Sequence, residues 1–333
     1  MKKTLSAAVA LSIFAAPAIA ANLENPLYMP KQGIGYSKTS AGVMYKIADD
    51  SNAHQRKNHD GATEFPIWRV HEELGYGILD NLEAYAKFGY THDGDIDRKG
   101  MHLGRAGLKY RAIDTTDGWV WDLYADAQLG GISEMSGAYT ANGFNYDNYS
   151  NGRWGFHVGT QVGKTWSKLS TAGFIEVLRT FGNDNNSIDV SSMGIPAMLQ
   201  FPDEISVDLK STTEINASLK MFYQMDDRWS FGGGLTYKHH SDNGVEGLAT
   251  ELPEIAAPLA AARQGIVDTL LAEVADMEDG FDEYVLNLTA AYQMTDTMQV
   301  AVYGEYTFDE AHAQSQNGTD VKAELGVRLN VQF

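Results

Sequence analysis

The sequence predicts an all-β chain that crosses a membrane as a closed antiparallel barrel of about twelve strands. Three observations carry this. Apolar and polar residues alternate with a period of two in segment after segment, as in strands with one polar face. The connections between segments alternate between very short and long. Aromatic residues gather at both ends of the segments, as they do at the two interfaces of a bilayer.

The chain has 333 residues and no cysteine, and 44% of it is hydrophobic. At its start Lys2 and Lys3 precede a mostly apolar core from Leu5 to Ala16, and Ala18–Ala20 forms a small-x-small site. This reads as a secretory signal peptide over residues 1–20, leaving 21–333 as one barrel domain. Beyond it no apolar run reaches the length of about 18 residues that a spanning helix needs. An exported chain without cysteine draws its stability from packing or from a membrane. Removing Lys2 and Lys3 takes the net charge from −19 to about −21, which argues against nucleic acid as a partner. The chain carries 17 Tyr, 13 Phe, 6 Trp and 33 Gly, a composition that suits a polar-lined barrel better than a globular core.

The predicted strands are 36–48, 63–78, 82–92, 101–113, 118–131, 152–166, 169–182, 204–224, 229–240, 280–293, 298–310 and 321–333. In the third, Leu82, Ala84, Ala86, Phe88 and Tyr90 share one face, with Glu83, Tyr85, Lys87 and Gly89 on the other. In the fifth, Trp121, Leu123, Ala125 and Ala127 oppose Asp122, Tyr124, Asp126 and Gln128. The connections after every second strand are Asp80-Asn81, 114–117, Ser167-Lys168, 225–228 and 294–297; the others are long and polar. A membrane barrel sorts its loops in this way, with short periplasmic turns and long extracellular loops. Trp119, Trp121, Trp166, Tyr223, Trp229 and Tyr292 lie near the short turns. Tyr90, Trp154, Phe181, Tyr237, Tyr284 and Phe308 lie near the long loops. Counts of 10 or 14 strands follow if 132–150 or 183–203 is read differently; neither alternates well, and both are taken as loops. Glu72 falls on the lipid face between Val70 and Leu74, and a bulge near Pro66 is one way to turn it inward.

The last strand, "VKAELGVRLNVQF", ends the chain on Phe333. To seal a barrel it must pair with the first strand, because an open edge in hydrocarbon is too costly. In its alternating strands, sorted loops and terminal Phe333, the mature chain resembles a porin-like Gram-negative outer-membrane β-barrel protein. The resemblance implies a location in the bacterial outer membrane, contact with its lipid and lipopolysaccharide, and a terminal strand read by the barrel-assembly machinery. Leu325, Val327, Leu329, Val331 and Phe333 match that terminal signal. No cofactor or metal is implied.

The same parity assigns the lumen. Arg69, Lys87, Arg105, Lys109, Arg111, Lys220, Lys238, Lys322 and Arg328 face inward, as do Glu73, Glu83, Asp122, Asp126, Glu176, Glu214, Glu283, Glu305 and Glu324. Lys87, Arg105, Lys109 and Arg111 against Asp122 and Asp126 form the candidate selective face, with Glu305, Glu324 and Arg328 as further pore-lining residues. Two readings of these charges stand side by side: ion pairs that fill and stiffen the wall, or opposed walls that set a field across an aqueous pore. The leading function is passive diffusion of small hydrophilic solutes or ions, with no enzymatic step.

The insert at 251–279 carries a helical pattern from about Ala256 to Met277, with Ile266, Leu270, Val274 and Met277 at spacings of four and three. Such a helix narrows the mouth, lies across it, or packs on neighbouring loops. "DGDID" at Asp93–Asp97 places carboxylates at alternate positions but lacks the rest of a calcium loop. "KHHSDNG" at Lys238–Gly244 supports an alternative: outer-membrane phospholipases and lipid A deacylases carry a similar His-x-Ser, which His239 and Ser241 match. Asp282 would then orient the imidazole. A third alternative is a sealed structural or surface-interaction barrel.

Overall fold

The computed structural model describes residues 22–46, 67–93, 98–130, 135–136, 140–141, 144–145, 153–182, 186–190, 193–241, 245–277, 281–308 and 322–333. The signal-peptide reading, the DGDID stretch between Asp93 and Arg98, and Pro66 lie outside them.

Twelve antiparallel strands close into one barrel. In chain order they are β1 (Gly35–Lys46), β2 (Ile67–Leu79), β3 (Leu82–Asp93), β4 (Arg98–Asp114), β5 (Trp119–Gln128), β6 (Gly155–Trp166), β7 (Leu169–Thr180), β8 (Thr212–Gln224), β9 (Trp229–His240), β10 (Phe281–Gln293), β11 (Met298–Phe308) and β12 (Lys322–Gln332). Each pairs with its neighbour, and β12 returns to β1 from Tyr36↔Gln332 to Lys46↔Lys322. Gly35 N donates to Phe333 O at 2.7 Å and Phe333 N to Gly35 O at 2.9 Å, so the last residue lies within the seam. The ring leaves no free edge, which is what hydrocarbon demands of a sheet.

The alternation predicted from sequence sets the two faces. Outward-facing Leu219, Leu235, Leu286, Leu325 and Val327 are exposed, while inward-facing Asp122, Gln299 and Asn330 are buried. Trp119, Trp166, Tyr223 and Trp229 are exposed near the short turns. Tyr90, Trp154, Phe181 and Tyr284 are exposed near the long loops. These are two aromatic belts flanking an apolar band. Inside, tyrosines lie along the wall over glycines of the next strand. A side chain at Gly75 would meet the Tyr36 ring, and one at Gly326 would meet Tyr303.

One predicted strand divides. Of 204–224, only Thr212 onward belongs to the barrel. Glu204–Leu209 forms a separate three-stranded sheet with Asn186–Asp189 and Val245–Leu248. Ile205, Val207 and Leu209 alternate as a membrane strand would, but they are almost wholly buried in a small core with Val190 and Leu270. Helix α1 (Ala257–Met277) supplies Leu270 and packs Ile266 and Leu271 on that core. This is the arrangement of a helix packing on neighbouring loops. In 132–150 the described pieces Met135–Ser136, Thr140–Ala141 and Phe144–Asn145 add no barrel strand; Met135–Ser136 pairs on the loop end of β4.

Among the described residues of β2, no bulge turns Glu72 inward. Thr39↔Glu72 sits in an unbroken ladder, and the carboxylate stays outside. Ser37 donates to its Oε1 at 2.6 Å and Thr39 to its Oε2 at 2.5 Å. Two hydroxyls thus satisfy an acid that faces the membrane.

Candidate pore and the segment that fills its turn end

The residues before β1 enter the barrel. Asn22–Ile34 crosses the lumen at the turn end, and its contacts come from strand ends nearest the short turns. The segment folds on itself first. Glu24 N donates to Asn22 Oδ1 (3.2 Å) and Leu27 N to Asn25 Oδ1 (3.0 Å), the local side-chain bonds that Asn favours in turns. Then it is tied to the wall. Asn22 Nδ2 reaches Gln224 (2.7 Å) and Ser230 (3.0 Å), and Gln299 donates back to Asn22 Oδ1 at 3.0 Å. Asn25 reaches Ser170 at 3.2 Å. Wall side chains cap three plug carbonyls: Gln161 that of Pro26 (2.8 Å), Arg111 that of Leu27 (2.7 Å), and Lys109 that of Tyr28 (3.1 Å). Glu24 receives Arg328 Nη1 at 2.9 Å and Asn330 Nδ2 at 2.8 Å. Leu27 packs on Val120, Ala172 and Phe174. Unpaired backbone groups in such a site are expensive, and here the strand residues supply the partners.

Above the plug lies a cavity of about 420 Å³. Its lining includes Glu24, Pro26 and Tyr28 of the plug and Lys38, Glu73, Lys87, Glu176, Lys220, Asn287, Glu305 and Arg328 of the wall.

The predicted pore-lining residues face this interior, and most are paired. Arg111 makes two bonds to Asp122, at 2.8 and 3.1 Å, and Lys109 stands 3.5 Å from the same carboxylate. These groups are on adjoining strands, so their charges cancel locally; they form an ion-pair network rather than opposed walls. Asp126 meets His157 Nδ1 and Tyr85 Oη, each at 2.7 Å. Lys87 and Lys38 share Glu73, at 3.5 and 3.0 Å. Glu324 accepts from Tyr303 at 2.8 Å and lies 3.5 Å from Arg69. Arg328 pairs with plug residue Glu24 and stacks over Tyr303 at 4.9 Å. Among the described residues, Arg105 and Glu305 have no ion-pair partner within 4 Å. Leu329 faces outward, while Phe333 packs its ring over Gly35.

The candidate catalytic residues lie outside, at the loop end. His239 Nδ1 is 2.8 Å from Asp282 Oδ1, and Tyr237 Oη donates to the same oxygen at 2.9 Å. Ser241 Oγ instead accepts the N–H of Thr213 at 2.8 Å, and no hydrogen bond joins it to His239 among the described residues. Residues 242–244 lie outside the described set.

Sequence reading missed the plug, Lys38 and His157. The plug's signal was weak: two Asn and two Pro over Asn22–Pro30, ahead of the first strand, which reads as a linker until the wall's partners are known.

A closed antiparallel barrel of twelve strands, with aromatic belts and a polar interior, is the fold of outer-membrane β-barrel proteins. Among solved structures, the chain is similar to an outer membrane channel from Pseudomonas putida F1, with a TM-score of 0.56 and 12% identity over 92% of this chain and 98% of that one. The NanC porin follows at a TM-score of 0.44 and 10% identity, over 89% of this chain and 98% of that one. The translocator domain of the autotransporter NalP from Neisseria meningitidis gives 0.42 and 10% over 92% and 90%; at that distance neither adds to the fold assignment. No family model and no curated protein matches the chain.

Proposed function

We propose that this chain is a channel of the bacterial outer membrane for passive diffusion of small hydrophilic solutes. The observation that carries the reading is the polar cavity between the barrel wall and the plug. The fold it shares with an outer membrane channel supports it. The mechanism uses no covalent chemistry; the field, the diameter and the hydrogen-bonding groups along the wall set what passes. At the turn end Asn22–Ile34 occupies the lumen, and the helical insert packs on the loop sheet. Lipid and lipopolysaccharide contact the outer face, and the assembly machinery reads Leu329, Val331 and Phe333. Proteoliposomes made with the refolded chain should swell in isotonic small neutral sugar well above protein-free vesicles; swelling equal to the blank ends this reading.

A second reading rests on the outward His239–Asp282 pair. With Ser241 as nucleophile, that pair would serve a lipid hydrolase working from the membrane side. Fatty-acid release by the wild type that Ser241→Ala abolishes supports it; no release by the wild type removes it.

A further inference from the structure

Of the charges lining the cavity, Glu83 accepts only from Tyr36 among the described residues, Glu176 has His157 at 3.9 Å, and Lys220 and Glu305 are left over on the remaining side. Lys38, Arg69, Lys87, Lys109, Arg111, Lys238 and Arg328 each have a carboxylate within 4 Å. Lys220 and Glu305 have none among the described residues, and both line the cavity. Arg105, also without an ion pair, is not on the cavity wall.

The strand register sets these two groups at one level. Lys220 of β8 pairs with Gly234 of β9, Gly234 with Asn287 of β10, and Asn287 with Glu305 of β11. One row across four strands therefore reads cation, bare backbone, amide, carboxylate. Three strand spacings separate its ends, about 14 Å along the wall, and less across the chord of a concave surface. Lys220 leans away from Glu305, with Nζ 4.8 Å over the Phe174 ring. The space between them is kept open by sequence. Gly232 and Gly233 line the cavity. A side chain at Gly234 would come within 3.0 Å of the Lys220 stem and 3.2 Å of Asn287 Oδ1.

A charge without an ion pair on the cavity wall is only partly compensated, and a cation and an anion held apart gain little from each other. A solute bearing both charges relieves both. We infer that the Lys220–Asn287–Glu305 row is a binding subsite for small zwitterions, whose carboxylate meets Lys220 and whose ammonium meets Glu305. The separation of the two groups suits short peptides and ω-amino acids, whose charges stand several bonds apart. Asn287 offers an amide donor and acceptor midway for a peptide bond. This rests on the channel reading and names the solute class for that lumen.

The test compares glycylglycine, a zwitterion, with N-acetylglycinamide, a neutral solute of similar size, in swelling of proteoliposomes carrying the full mature chain. Glycylglycine should enter faster, on the order of fivefold, equivalent to about 1 kcal/mol. Lys220→Gln and Glu305→Gln should each abolish the preference for glycylglycine over the neutral solute, while heat-resistant migration on a gel reports an intact barrel. The double variant Lys220→Glu with Glu305→Lys should restore the preference, because the solute can bind reversed. Equal rates in the wild type, or a preference that both single variants leave intact, overturn the inference while the channel reading stands. Entry of neither solute overturns both.

Discussion

Glu24 carries a negative charge into the lumen, where Arg328 and Asn330 receive it. Hydrogen bonds to charged groups contribute about 1.5–3 kcal/mol each, so this contact outweighs the neutral bonds from Asn22 and Asn25. Glu24→Gln should loosen the plug, read as faster amide hydrogen exchange over residues 22–34 with strand protection unchanged. Glu72 is the opposite case, a charge on the membrane face held only by two hydroxyls. Glu72→Leu should raise the free energy of unfolding measured in urea by about 1 kcal/mol, given the modest cost of acids in this position; a lower value would mean the hydroxyl cluster stabilises the seam. In the β8–β9 turn, Asp226 Oδ1 accepts the N–H groups of Trp229 at 2.7 Å and Arg228 at 2.8 Å. The Trp229 and Arg228 backbone donors hold its carboxyl below the usual carboxylate range. A depressed folded value gives stability that is fully present above the unfolded value, about pH 4, and lost as pH falls through the folded one. The stability gap between wild type and Asp226→Asn should therefore be constant near neutrality and close in acid.

Among the elements, period-2 alternation located all twelve barrel strands because a membrane wall imposes it on every strand and the belts mark both ends. It misread Glu204–Leu209 because Ile205, Val207 and Leu209 alternate for a different reason, burial in the loop-module core. Alternation reports that one face is apolar, not whether lipid or protein covers it. Lys109, Arg111 and Asp122 were found by the same parity, while their task of capping plug carbonyls was invisible, since it depends on contacts between residues far apart in sequence. Helix α1 was legible from Ile266 and Leu270; its docking partner was not, because three separate stretches build the sheet it covers. Leu270→Ala should destabilise this module alone. A cut of about 2–5 kcal/mol from a buried leucine should appear as protease sensitivity within 186–209 and 245–277 while the barrel keeps its heat-resistant migration on a gel.

At the scale of the whole molecule, closure and filling are separate tasks. The β12–β1 seam closes the wall and buries every strand edge in pairing, and paired charges line much of it. The plug then occupies the lumen at the turn end. The most direct measurement is single-channel conductance of the refolded mature chain in a planar bilayer, against a variant lacking residues 22–30. The account predicts ion-conducting steps for the wild type and clearly larger steps once the plug is gone, with removal of 251–279 having the smaller effect. Equal steps with and without the plug, or a bilayer that stays silent in every form, would contradict it.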